Sequence, residues 1–258
     1  MSTTIFETHC HLNNPQFATD LDEVLARARA AGVSEFLLIG FDLESSLQVV
    51  EMARPEEGIY AAAGIHPHDA DAWSAAAEQQ LRLLLARPGV VALGEIGLDF
   101  YRDLSPREAQ HDAFRAQLEI AMELGLPIVV HTRDSVTPSL DVLEPYARRG
   151  LRGVMHCWSG TVEEARRARD LGLLLGIGGV VTYKKPGELP SVVAESPLAS
   201  LLLETDSPYL PPTPHRGERN EPSYLPLIAE KVAEIKRVPA AAIAEITRCN
   251  ALGLFGLR

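Results

Sequence analysis

Short apolar runs alternate along this chain with longer stretches in which apolar residues recur every three or four positions. The runs are TIFETH (4–9), EFLLIG (35–40), IYAAAGIH (59–66), VVALGEIG (90–97), PIVVH (127–131), RGVMHC (152–157), LLLGIG (173–178) and SLLLETD (200–206). Each reads as a buried strand, and the stretch after most of them reads as an amphipathic helix. Helix signals agree. Ser105-Pro106-Arg107-Glu108 has capping-box spacing with proline at the first helical position, and Thr161 with Glu164 repeats that spacing. Gly32, Gly125 and Gly172 stand where helices should stop. Eight such steps in 258 residues predict an α/β fold, a single TIM (β/α)8 barrel spanning residues 1–258. An open doubly wound sheet is the structural alternative.

Composition narrows the setting. A hydrophobic fraction of 46% can fill a large core. No apolar run approaches the ~18 residues of a membrane span, and the N-terminus lacks a signal-peptide pattern, which predicts a cytoplasmic protein with no membrane partner. Cys10, Cys157 and Cys249 are scattered and without CxxC spacing, so neither a disulfide framework nor a zinc ribbon is expected. The net charge of -11 argues against nucleic-acid binding through a broad basic surface. Phosphate binding would need a local positive site, which bound cations can supply.

Polar residues with metal-binding chemistry fall at the C-terminal ends of the predicted strands, where catalytic groups gather in a TIM barrel. They are His9 and His11 on the first strand, His66 on the third, Glu95 on the fourth, His131 on the fifth, His156 on the sixth, and Glu204 with Asp206 on the eighth. His9 and His11 are two apart and share a face, with Thr8 and Cys10 turned away. Taken singly, each residue has an ordinary explanation. An HxH pair is common in turns, His156 could be a core histidine with Cys157 facing the helix layer, and Glu204 and Asp206 could cap a loop. Their convergence at one end of one barrel points to a metal site. Imidazole with carboxylate suits zinc, manganese, iron or cobalt, and magnesium less naturally, and the ligand number suggests two ions. The four lysines, Lys184, Lys185, Lys231 and Lys236, all lie beyond the sixth strand, so a carbamylated lysine cannot bridge ions there. Glu95 is the candidate bridge.

The motifs THCHL, GIHPH, GEIGLDFYR, VVHTRD, HCWSG, LETDSPYL and RGERNEP, in that order, make the chain resemble the TatD family of metal-dependent deoxyribonucleases, among the amidohydrolase-like TIM barrels. The resemblance extends from THCHL to NALGLF. One departure is Glu7, where many members carry aspartate, and it is expected to alter hydrogen bonding beneath the histidines.

The resemblance implies that His9, His11 and Asp206 hold one divalent cation, that His131 and His156 hold a second, and that Glu95 bridges them. The cofactors expected are two divalent metal cations, Mg2+, Mn2+ or Zn2+. The implied activity is hydrolysis of DNA phosphodiester bonds, with single-stranded DNA or 3′ ends as substrate and 3′-5′ exonuclease action. Two cations about 3.5–4 Å apart can stabilise attacking and leaving oxygens and activate water near neutral pH, with Asp206 as proton acceptor. Arg133, Arg216 and Arg219 are candidates to grip phosphates, His66 and His68 to touch substrate or support the ligands, and Tyr101 to stack on a base. Glu204 is expected behind the ligands. The proline-rich stretch from Ser207 to Pro226 should lie over the active face. A hydrolase of carbon-nitrogen, ester or aminoacyl-tRNA bonds is the alternative. A scaffold without catalysis would be expected to lack ligands, and none is missing. No obligate protein partner is evident.

Overall fold

The computed structural model describes residues 4–257. Its eight parallel strands are β1 (Ile5–Cys10), β2 (Val33–Ile39), β3 (Ile59–Ala63), β4 (Val90–Asp99), β5 (Ile128–Arg133), β6 (Gly153–Met155), β7 (Leu174–Ile177) and β8 (Leu201–Leu203), hydrogen-bonded in chain order. Helices α1 (Leu21–Ala30), α2 (Leu43–Met52), α3 (Ala75–Leu85), α4 (Arg107–Leu124), α5 (Val136–Ala147), α6 (Val162–Asp170), α7 (Leu189–Glu195) and α8 (Leu225–Lys236) follow the strands in turn, and α9 (Ala240–Phe255) ends the chain. This is the TIM barrel of the sequence reading, not the open sheet. Among the described residues, no helix is long and apolar enough to cross a membrane.

The seam between the first and last strands is closed largely by contacts beyond the last strand itself. The Asp206 amide donates to His9 O at 2.9 Å and the His11 amide to Ser207 O at 2.8 Å. Thr8 Oγ1 donates to Leu203 O at 2.9 Å. Glu7 is fully buried and accepts from the Thr205 amide at 2.9 Å and the His9 amide at 3.1 Å. Its longer side chain thus ties β1 to the segment that carries Asp206.

Two apolar layers follow from strand alternation. Leu38, Ile96, Val130, Met155 and Leu203 face the helices, whereas Phe6, Leu37, Ala62, Ala92, Val129, Val154 and Leu202 fill the barrel interior. Ala251, Leu254 and Phe255 of α9 join the interior group, with the Phe6 and Phe255 rings 5.8 Å apart. The last helix therefore plugs the N-terminal end and leaves the other end for polar groups.

Strict alternation fails at two places, and both aim a site residue. Phe6 belongs to the interior layer and Cys10 to the outer one, although an even spacing would put them on one side. A register shift between Glu7 and Cys10 makes the switch and turns His9 and His11 inward. In β4 the shift falls between Leu93 and Ile96, so that Ala92 faces inward, Ile96 outward, and Glu95 the barrel axis. β5, β6 and β8 need no such device: Val129 and His131, Val154 and His156, and Leu202 and Glu204 are each two apart.

The capping box at Thr161 and Glu164 is present, and the glycines end their helices. The one at Ser105 is not. Helix α4 begins at Arg107 with Pro106 as its cap residue, and Ser105 Oγ instead donates to His68 O at 2.8 Å. A loop needing its carbonyl bound has taken the hydroxyl.

Close backbone approach makes Gly97 indispensable. Its φ is +143°, and an added Cβ would lie 2.1 Å from His131 O across the β4–β5 pair. Gly97→Ala should cost at least about 2 kcal/mol and lower Tm by roughly 4–8 °C. Calorimetry checks this, and an unchanged Tm would refute the steric argument.

Candidate metal centre

At the C-terminal end of the barrel, a cavity of about 490 Å³ is lined by His11, His66, His68, Glu95, Asp99, His131, His156 and Asp206. Strand β1 and the residue just beyond it bring His9 Nε2 and His11 Nε2 to 3.3 Å of each other. Asp206 Oδ1 lies 3.8 and 3.5 Å from them, and Glu95 Oε2 lies 3.5 and 3.8 Å from them. The second Glu95 oxygen, Oε1, faces His131 Nδ1 at 3.0 Å and His156 Nε2 at 3.7 Å. Glu95 thus stands between two groups of donors, one on each carboxylate oxygen.

The backing of each ring indicates which nitrogen faces the cavity. His11 Nδ1 is 3.1 Å from Ile39 O, a partner that requires N–H there and leaves the Nε2 lone pair free. His156 Nδ1 lies 2.9 Å from Glu204 Oε1, and His131 Nε2 lies 3.1 Å from Asp99 Oδ2. A carboxylate behind a histidine is a common support for metal ligation. His66 is arranged in the opposite sense. Its Nδ1 accepts from the His68 amide at 3.1 Å, which places a proton on Nε2, 3.7 Å from Glu95 Oε1. Burial, helped by His131, pushes the His66 pKa well down, so the ring is a neutral donor.

Charge balance supports a cation. Burial would raise the Glu95 carboxyl, but the surrounding His9, His131 and His156 hold it well below the usual range. For Asp206, burial is likewise outweighed, by His11, His156 and His9. Burial would lower His156, but Glu204, Glu95 and Asp206 push it up to about 10. Among the described residues no arginine or lysine contacts these carboxylates, whose positive neighbours are the imidazoles. His9 Nδ1 and Glu204 Oε2 are buried without a hydrogen-bond partner. Donor atoms of His9, His11 and Asp206, and of His9, Glu95 and His156, lie within 4.8 Å of one another. The donor set fits divalent ions, whose binding would displace protons.

All six residues expected as ligands converge. His66, expected on the third strand, lies three residues beyond its end, and His11, His156, Glu204 and Asp206 also lie past their strands. Cys157 does not face the helix layer: its Sγ is within 4.8 Å of donor atoms on His156 and Glu204, and its φ is +45°. Arg133 and Tyr101 are stacked at the cavity rim, with the guanidinium 4.0 Å from the ring centroid. Arg219 is committed elsewhere, to Asp20 at 2.8 and 2.6 Å, because the loop needs a tie to the turn before α1. Arg216 lies outside the cavity lining and stacks on Tyr183 at 3.8 Å. The proline-rich segment reaches the mouth through Tyr209 and Leu210.

Asp99 was missing from the expected site. It is 1% exposed, its Oδ2 lies 2.9 Å from His68 Nε2 and 3.1 Å from His131 Nε2, and its Oδ1 accepts from the Tyr101 and Arg102 amides. Its signal was positional, four residues after Glu95 on the same strand and hence on the same face. Gln110 from α4 anchors it by accepting from the Asp99 amide at 2.9 Å.

Comparisons with known proteins agree with this fold. The family model described as TatD related DNase matches residues 6–256. The chain is 41% identical over 251 residues to the uncharacterized metal-dependent hydrolase YabD of Bacillus subtilis, covering 97% of this chain and 98% of that protein. It is 41% identical over 258 residues to the 3′-5′ ssDNA/RNA exonuclease TatD of Escherichia fergusonii, covering 98% and 99%. The crystal structure of YjjV, a TatD homolog from Escherichia coli, superimposes with a TM-score of 0.94 at 33% identity and full coverage of both chains.

Proposed function

The chain belongs to the family of TatD-related DNases, and from that premise we propose that it removes nucleotides from the 3′ end of single-stranded DNA by metal-dependent hydrolysis, the whole chain serving as one domain. The observation that carries this reading is Glu95 standing between two groups of buried histidines at the floor of an open cavity. The relative named as a 3′-5′ ssDNA/RNA exonuclease supports the substrate class.

In this reading His9, His11 and Asp206 would hold one divalent cation and His131 and His156 a second, with Glu95 as a donor to both and Mg2+, Mn2+ or Zn2+ as the ions. Such ions, when bound, supply Lewis acidity at phosphate oxygens and a water acidic enough to attack near neutral pH. The chain contributes the rest. Asp206, kept ionised among the imidazoles, accepts the proton released by the attacking water. His66 offers its Nε2 proton to a phosphate oxygen, and His68, held by Asp99 at 2.9 Å, offers a second contact on the cavity wall. Arg133 at the rim grips the next phosphate, and Tyr101 beneath it offers a face for a base. Glu204 fixes the orientation of His156.

Exhaustive chelation should remove cleavage of 3′-labelled single-stranded DNA, and added Mn2+ or Mg2+ should restore it with mononucleotides released from the 3′ end. Full activity in a verified metal-free sample would refute the proposal. A metal-loaded protein that leaves DNA intact and cleaves aminoacyl-tRNA or esters would move the site to carbonyl chemistry.

A further inference from the structure

Most lysines and arginines among the described residues are already bound. They form ion pairs on the helical layer, as Arg82, Arg167 and Arg248 do, or donate to carbonyl or hydroxyl oxygens, as Arg29, Arg54, Arg152, Arg169 and Lys236 do. Seven are left with neither kind of partner. Two of these, Arg87 before β4 and Arg237 after α8, lie at the N-terminal end of the barrel. The other five lie at or beyond strand ends on the catalytic face: Arg102, Arg133, Lys184, Lys185 and Arg216. In a chain of net charge -11, the unpaired positive charge among the described residues is concentrated on the face that carries the cavity.

The aromatic stacks sort in the same way. Arginine lies over an aromatic ring at six places, and four of those arginines, Arg29, Arg107, Arg149 and Arg219, are also hydrogen-bonded or ion-paired. The two that are not are Arg133 over Tyr101 and Arg216 over Tyr183. One pair stands on the β4–β5 side of the mouth and the other on the β7–β8 side.

The second pair is continuous with the mouth. Leu210 lines the cavity, and its carbonyl oxygen packs so closely on Gly179 that a Cβ there would come within 2.3 Å. The Thr213 amide donates to Thr182 Oγ1 at 2.8 Å. These contacts join the loops after β7 and β8 into one ledge running from Leu210 to Tyr183, with the exposed Lys184 and Lys185 at its end. The nearest acid in sequence, Glu188, is turned away, accepting from the Val162 amide at 3.0 Å.

We propose that Tyr183, Lys184, Lys185 and Arg216 form a second polynucleotide contact, outside the hydrolytic pocket, that holds a single strand several nucleotides from the end being cleaved. This rests on the nuclease reading of the pocket. The lysines neutralise backbone phosphates, and the Tyr183–Arg216 stack presents a flat, sequence-tolerant surface to a base. Tyr183, Lys184, Lys185 and Arg216 all lie outside the pocket lining, so in this proposal a dinucleotide seated in the pocket leaves the ledge empty and the contact acts on long strands alone.

The test compares wild type with the Lys184→Glu/Lys185→Glu variant and with Tyr183→Ala. Each is assayed on a thymidine dinucleotide and on a thymidine strand of about ten nucleotides, long enough to occupy a single-strand site. With the long strand, KM should rise about tenfold in the lysine variant and about fivefold or more in Tyr183→Ala. The slope of log Kd against log salt should fall by about 1.4 in the lysine variant, as for two lost phosphate contacts. With the dinucleotide, KM and kcat should stay within about twofold, while an Arg87→Glu/Arg237→Glu control should leave both substrates unaffected. Equal effects on both lengths, or no effect on either, would overturn the second contact while leaving the pocket reading intact. A wild-type protein that neither binds nor cleaves any strand would overturn the nuclease reading and the ledge with it.

Discussion

Replacing Glu95 with alanine is expected to weaken both cations together and to reduce DNA hydrolysis by at least about 1000-fold, equivalent to roughly 4 kcal/mol of transition-state stabilisation. The reason lies in how the two carboxylate oxygens divide the site. Oε2 faces His9 and His11 at 3.5 and 3.8 Å, while Oε1 faces His131 and His156 at 3.0 and 3.7 Å. Alanine removes a donor from each group and also the negative charge that would stand between the two proposed ions, which would then repel across the gap. His156→Ala touches one group, so it should weaken mainly one ion. The barrel should persist in both variants, because its stability comes from apolar layers such as Val129, Val154 and Leu202 and from the α9 plug rather than from the rim. Calorimetric metal titration, with circular dichroism to confirm folding, separates the variants. Two equivalents bound by Glu95→Ala with unchanged affinity would remove Glu95 from the centre of the site.

Asp206→Asn should lower turnover by at least about 100-fold, the lower range for loss of a positioned proton acceptor. Asparagine is the informative change for a backbone reason as well as a chemical one. Asp206 has φ +59°, in the left-handed region that asparagine tolerates and alanine resists. The shape and the backbone are retained while the charge and the basicity are lost. Its amide still donates to His9 O, so the seam of the barrel stays closed. Metal content measured alongside kcat distinguishes a lost proton acceptor from a lost ligand. Near-normal turnover with full occupancy would exclude Asp206 from proton transfer.

The eight strands and the convergence of the candidate ligands were legible because both depend on local pattern. Apolar runs bounded by turn residues mark the strands, and the rule that barrel chemistry gathers at strand C-termini marks His131 and His156 without further help. The residues that sequence reasoning missed depend on what lies across the barrel. The register shifts in β1 and β4 reverse which side chains face inward, and no alternation count along a single strand reports them. Asp99 earns its place from His68 and His131, which come from other segments of the chain. Ser105 had the spacing of a helix cap, but its hydroxyl was claimed by the loop that carries His68. The arginines divide on the same principle. Arg219 and Arg216 are three residues apart in one loop, yet one is tied to Asp20 and the other remains free over Tyr183, a distinction set by which acids the neighbouring loops bring near.

Two cations flanking Glu95 are the centre of the proposed mechanism. An anomalous difference map from crystals soaked in Mn2+ tests it directly. Two peaks about 3.5–4 Å apart are expected, one among His9, His11 and Asp206 and one beside His131 and His156, with Glu95 between them. A single peak, or a second one that does not touch Glu95, would contradict the account.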